Sequence, residues 1–203
     1  MSELFVKTPA IEVSNSHQGT MALLRSAGLA VSASLFVAIC AHISLPLLFS
    51  PVPLTMQPFA VLLVALLLQP ATAFAALTLY LVEGAAGLPV FTPHGIGGVA
   101  QLLGPTGGYL ASYSFVAAAV SWIARKGNPT FMTRAASAAV GNVLILLCGS
   151  LWLAIYTHAS ARIVMNMAIL PFLPGDTLKV ISAAALATAW FRFRRSQSST
   201  EAN

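Results

Sequence analysis

Apolar residues in this chain neither alternate strictly nor keep to one helical stripe; they fill whole runs, broken by short segments rich in proline, glycine or charge. Runs of this kind predict helices that are apolar all round and lie among lipid or other helices. The breaks divide the chain into six such spans, over about residues 21–43, 54–69, 71–86, 106–123, 135–156 and 176–191. Between the first two lies PLLFSPVP, residues 46–53, whose three prolines cannot keep a helical hydrogen-bond ladder and predict an extended surface loop. Gln69-Pro70 predicts a tight turn, with the proline suited to the first turn of the next helix. The stretch from Gly87 to Gly98 is too irregular to face lipid; it must be covered by protein or open to water, and is expected to line a cavity. PFLPG, residues 171–175, interrupts the chain again before the last span.

Composition sharpens this picture. Of 203 residues, 58% are hydrophobic and 7% charged, against about a quarter charged in an ordinary soluble domain. Ten Lys and Arg with five Asp and Glu could not cover such a core in water, so the expectation is an all-α integral membrane protein in one domain. The net charge of +5 does not point to nucleic acid, because the basic residues stand in ones, twos and threes between apolar runs. Membrane topology accounts for them better. Lys7, Arg25, Arg125, Lys126, Arg134, Arg192, Arg194 and Arg195 fall on one side of the six-span arrangement, and only Arg162 and Lys179 on the other. Both termini are therefore expected in the cytoplasm and the irregular loops outside. Residues 1–20 are polar and lack the layout of a secretory signal, so a disordered cytoplasmic tail is expected there, and a second tail over residues 194–203. Cys40 and Cys148 are expected as packed thiols, and the scattered His42, His94 and His158 suggest no metal site.

Four groups of residues carry candidate chemistry. In LPFLPGDTLKV, residues 170–180, Pro174 and Gly175 are expected to break the chain and Asp176 to take the N-cap of the last helix. Asp176 and Lys179, three apart, then share one helix face, where a small polar ligand would meet a carboxylate and an ammonium together. An ordinary capping Asp with a Lys reaching for the interface is the competing reading. In Glu83 to Tyr109, glycines allow close backbone approach to a ligand, or alternatively tight helix packing. Neither glycine cluster there ends in Gly-Lys-Ser/Thr, so a nucleotide site is not expected. In PLTMQ, residues 53–57, Gln57 is placed either to bridge helices or to touch ligand. Finally Ser26, Ala30, Ser34 and Ala38, each four apart, form a stripe of small residues on the first helix, open to close approach by a neighbouring span or another subunit.

At these segments the sequence resembles the BioY family, the biotin-binding substrate-capture (S) components of energy-coupling-factor (ECF) vitamin importers. The likeness runs through PVPLTMQ at residues 51–57, EGAAGLPVF at 83–91, GGVAQLLGPTGGYL at 97–110 and PFLPGDTLK at 171–179. It implies an S-component-like bundle of six transmembrane helices with irregular outward-facing loops, in a bacterial plasma (inner) membrane, that captures biotin without catalysis and without a cofactor. By motif position it implies Asp176 and Lys179 as the main biotin contacts. Gln57, Gly97, Gly98, Thr106, Gly107 and Tyr109 match motif positions less directly tied to ligand, with Phe91 and Tyr109 as apolar walls. TPHGIGG departs from relatives that carry a polar or basic residue near Ile96, which leaves open what meets a ligand carboxylate. The resemblance also implies that the small-residue stripe docks on a transmembrane coupling subunit carried by two ATPase subunits. An S component for another vitamin, an intramembrane enzyme and a membrane scaffold are the rival readings.

Overall fold

The computed structural model describes residues 10–200, with side chains from 19 to 198. Six principal helices follow the expected order: α1 (Ala10–His42), α2 (Gln57–Leu67), α3 (Pro70–Ala85), then, after a short α4 (Gly98–Leu103), α5 (Gly107–Lys126), α6 (Phe131–Thr157), a short α7 (Ala161–Ala168) and α8 (Leu173–Thr200). Local chemistry sets these limits. Pro58 and Pro70 sit in the first turns of α2 and α3, where a missing N–H costs nothing. Thr130 caps α6, its hydroxyl accepting from the N–H of Thr133 at 3.2 Å, which starts that helix earlier than the apolar run alone predicts. His158 ends it in the left-handed conformation, φ 53°.

The proline-rich 46–53 loop is tied at its base by a two-residue antiparallel ladder, β1 (Ser44–Leu45) on β2 (Leu54–Thr55). α5 lies at the centre, packed on α2, α3 and α6; α1 covers α2 and α3, while α8 closes against α2 and α6. Leu62, Leu77, Val120 and Ile145 form part of the fully enclosed core, and the outward faces carry exposed Leu24, Leu35, Phe115, Leu151 and Leu186, as lipid-facing helices require. By length and composition, three helices among the described residues can cross a bilayer (residues 19–42 of α1, α5 and α6). α7 and α8, bent by 52°, make a fourth as one broken span, whereas α2 and α3 are shorter. Helix length alone therefore does not carry the count of six crossings.

Five expectations need correction. The tail expected over residues 1–20 is helical from Ala10, since no proline or second glycine interrupts residues 10–20; residues 1–9 lie outside the description. The tail expected over 194–203 continues α8 to Thr200 for the same reason, with 201–203 outside the description. Asp176 is not an N-cap: α8 already starts at Leu173, Pro174 and Gly175 fit its first turn, and the Asp176 N–H donates to the Phe172 carbonyl at 2.8 Å. The small-residue stripe is not free for another subunit. Ala30, Ser34 and Ala38 are buried inside the chain, where α1 meets α2 and α3, and the Ser34 hydroxyl donates to the Glu83 carboxylate of α3; only Ser26 is exposed. Cys40 is buried as expected, while Cys148 faces outward.

Because Ser34 is fully enclosed, enlarging it must force α1 off its neighbours. Ser34→Trp is expected to destabilise the isolated protein by about 2 kcal/mol or more, whereas Ser26→Trp should leave its thermal unfolding in detergent unchanged. Equal unfolding temperatures for both variants and the parent would count against this packing.

Candidate ligand-binding site

One end of the bundle holds a cavity of about 540 Å³, its mouth included, between α2, α5, α6 and α8, under the loops that follow β1 and α3. Its wall combines Val52, Phe91, Leu110, Ile145, Leu146 and Phe172 with the polar groups of Thr55, Gln57, Thr92, Gln101, Thr106, Tyr109, Tyr113, Asp176 and Lys179. This mixture of apolar walls and a few convergent polar groups is what a small-solute pocket needs.

The charged centre of the wall is an ion pair. Lys179 Nζ lies 2.8 Å from Asp176 Oδ1, and the two side chains are 6% and 4% exposed. The i, i+3 spacing puts them one turn apart on α8, and Asn142 of α6 reaches across so that its Nδ2 donates to Asp176 Oδ2 at 3.2 Å. Both carboxylate oxygens are thus engaged, while the ammonium keeps two further N–H groups for a ligand. The Asn142 carbonyl oxygen is the one buried side-chain polar atom without a partner among the described residues. On the facing wall, Gln57 Nε2 donates to the Tyr80 hydroxyl at 2.6 Å and its Oε1 accepts from Thr55 at 3.3 Å. These bonds fix the amide at the cavity edge.

Two glycines seat the aromatic walls. A β-carbon on Gly84 would collide with the Phe91 ring, which turns its edge to Tyr80 at 5.4 Å between centroids, and one on Gly149 would collide with the Tyr109 ring. Tyr109 is held further by its hydroxyl, donating to the Ala168 carbonyl at 3.2 Å. Above the cavity, Gln101 of α4 accepts from the Gly97 N–H at 3.4 Å and donates to Thr106 at 3.0 Å, stitching the loop before α4 to the start of α5.

The structure thus brings Asp176, Lys179, Gln57, Thr106, Tyr109 and Phe91 to one cavity, as expected. It does not bring Gly97, Gly98 or Gly107 to that wall. Gly97 and Gly98, with φ of 70° and 60°, make the left-handed step into α4, and Gly107 lies so close to the Leu102 carbonyl and Trp152 that no side chain fits. Sequence reasoning missed Thr92, Gln101, Tyr113 and Asn142. Asn142 alone left a signal, an amide in the middle of an apolar run.

Loops folded over a partly polar cavity at one end of an apolar helical bundle define a helical integral membrane protein with a pocket among its helices. The chain belongs to the BioY family, whose profile matches residues 12–196. It is similar to the biotin transporter BioY2 of Lactococcus lactis subsp. cremoris, 34% identical over 160 residues that make up 77% of this chain and 84% of the relative. The biotin transporter BioY of Thermotoga maritima is 36% identical over 160 residues, 77% of this chain and 92% of that one. The fold matches the 2.1 Å crystal structure of the S-component for biotin from an ECF-type ABC transporter, with a TM-score of 0.77 and 22% identity, over 83% of this chain and 92% of that chain.

A desolvated pair leaves a lone charge when one member is removed. Asp176→Asn and Lys179→Met are each expected to destabilise the protein by about 3 kcal/mol, and the double variant by clearly less than the sum. Chemical unfolding of the four proteins measures this coupling; additive losses would mean that the two side chains do not interact.

Proposed function

We propose that this chain is a biotin-capturing S component: it takes biotin into the cavity beside Asp176 and Lys179 and passes it across the membrane with an ECF coupling subunit and its ATPases. The observation that carries this reading is the buried carboxylate and ammonium pair on a cavity wall in a member of the BioY family. Biotin offers a cyclic urea with two N–H donors and one carbonyl acceptor, an apolar bicycle, and an aliphatic tail ending in a carboxylate. A carboxylate and an ammonium answer the polar ends, and Phe91, Tyr109, Ile145 and Leu146 suit the bicycle. No bond is made or broken in this role, so the residues bind rather than catalyse.

The charge distribution supports an orientation. Arg125, Lys126, Arg134, Arg192, Arg194 and Arg195 belong to the helix ends away from the cavity, while Lys179 is at the cavity. With the basic end in the cytoplasm, both termini lie inside and the cavity opens outward, toward biotin arriving from outside the plasma membrane.

Titration of the purified chain tests the reading. Biotin should bind saturably and raise the unfolding temperature, and thiamine and riboflavin should do neither. The Asp176→Asn/Lys179→Met double variant, which avoids a lone buried charge, should lose at least tenfold in affinity while staying folded, about the contribution of one charge-assisted hydrogen bond. A preference for another vitamin would reject biotin as the solute, and undiminished affinity in the double variant would reject the assigned pair.

A further inference from the structure

At the end of the bundle away from the cavity, α6 and α8 hold a guanidinium that meets no carboxylate among the described residues. Arg134 is 8% exposed, yet its only hydrogen bonds among the described residues run from Nη1 to two neutral acceptors, the Pro129 carbonyl at 3.2 Å and the Thr188 hydroxyl at 3.3 Å. The guanidinium carbon lies 4.8 Å from the centre of the Phe191 ring. Among the described residues its remaining N–H groups have no partner, and they are not sealed in, so they reach the surface. Arg192 and Arg195 of α8 add their charge beside it, and both are exposed. The described acidic residues, Glu83 and Asp176, are committed elsewhere, to Ser34 and to Lys179. A guanidinium whose surface-reaching N–H groups meet no described carboxylate can take an anion from outside the chain.

We infer that Arg134, Arg192 and Arg195 form a site for the phosphodiester of an anionic phospholipid. Depth and surroundings favour a lipid as the anion's source. Arg134 stands in the first turn of α6, bonded to the Pro129 carbonyl just before it, and Arg192 and Arg195 lie toward the C-terminal end of α8, so the cluster sits at the helix ends away from the cavity, where headgroups lie. Exposed Met132, Trp190 and Phe193 flank it, offering apolar contact to acyl chains and glycerol below the phosphate. The guanidinium fork matches two phosphate oxygens, and the second and third arginines give preference to a headgroup with net negative charge over a zwitterionic one.

The test is thermal unfolding of the full chain in neutral detergent, with phosphatidylglycerol or phosphatidylcholine added at equal mole fraction. Phosphatidylglycerol should raise the unfolding temperature by about 3 °C more than phosphatidylcholine. Arg134→Gln should lose that increment, Arg134→Lys should keep part of it, and Arg25→Gln, on exposed α1, should keep all of it. Should Arg134→Gln fail to fold, the Arg192→Gln/Arg195→Gln variant, altered only at exposed positions, should lose at least half. An undiminished increment in Arg134→Gln, or in the double variant where it replaces that test, overturns the site. The same increment from inorganic phosphate alone overturns the lipid assignment. Equal effects of the two lipids on the wild type overturn it as well.

Discussion

An ion pair inside an apolar bundle is the constraint around which this molecule is organised. Asp176 and Lys179 are one turn apart, 2.8 Å at their closest, and almost wholly withdrawn from solvent. Such a pair contributes little net stability, because desolvation consumes most of its Coulombic gain, and it persists only when every remaining valence is engaged or reserved for a ligand. That requirement explains the surroundings. α8 begins early enough to place both residues on its first two turns, Asn142 crosses from α6 to hold the second carboxylate oxygen, and loops roof the cavity that the ammonium faces.

The cavity walls depend in turn on absent side chains. Phe91 enters the bundle because Gly84 leaves room for its ring, and Tyr109 lies flat against α6 because Gly149 does the same. Both rings would be displaced by a single methyl group. The glycine-rich segments therefore act on the site at one remove: they contribute space for aromatic rings, not backbone groups at the cavity wall.

Much of this was legible in the sequence, and the misses have physical causes. Apolar runs and proline breaks located the six principal helices, because lipid imposes a continuous apolar surface that leaves a strong signal. Helix ends were harder. Thr130 caps α6 by a hydroxyl contact that hydropathy does not register, and Pro174 and Gly175 read as a break although a first helical turn accepts both. α4 and α7 are too short for a periodic signal. At the site, Asp176 and Lys179 were readable because charge is rare in such runs and their spacing fixes a shared face. Gln101 and Tyr113 were not, since their arrival at the cavity depends on how α4 and α5 pack. The row of Ala30, Ser34 and Ala38 showed that something approaches closely, but whether that is a neighbouring helix or another chain is a tertiary fact, and here it is α3 with α2.

The brevity of α2 has a mechanical consequence. Its 11 residues rise only ~16 Å from Gln57, at the cavity wall, to the turn at Leu68 and Gln69, roughly half a bilayer's hydrocarbon depth. Because nearly all of α2 is enclosed by other helices, it need not match the lipid thickness, and its far end can stop short. The carbonyl of Leu68 is met there by the Ser121 hydroxyl at 2.6 Å, and Gln69 is exposed. Beneath the cavity wall, α2 thus contributes only about half a hydrocarbon thickness of protein before the chain turns back into α3.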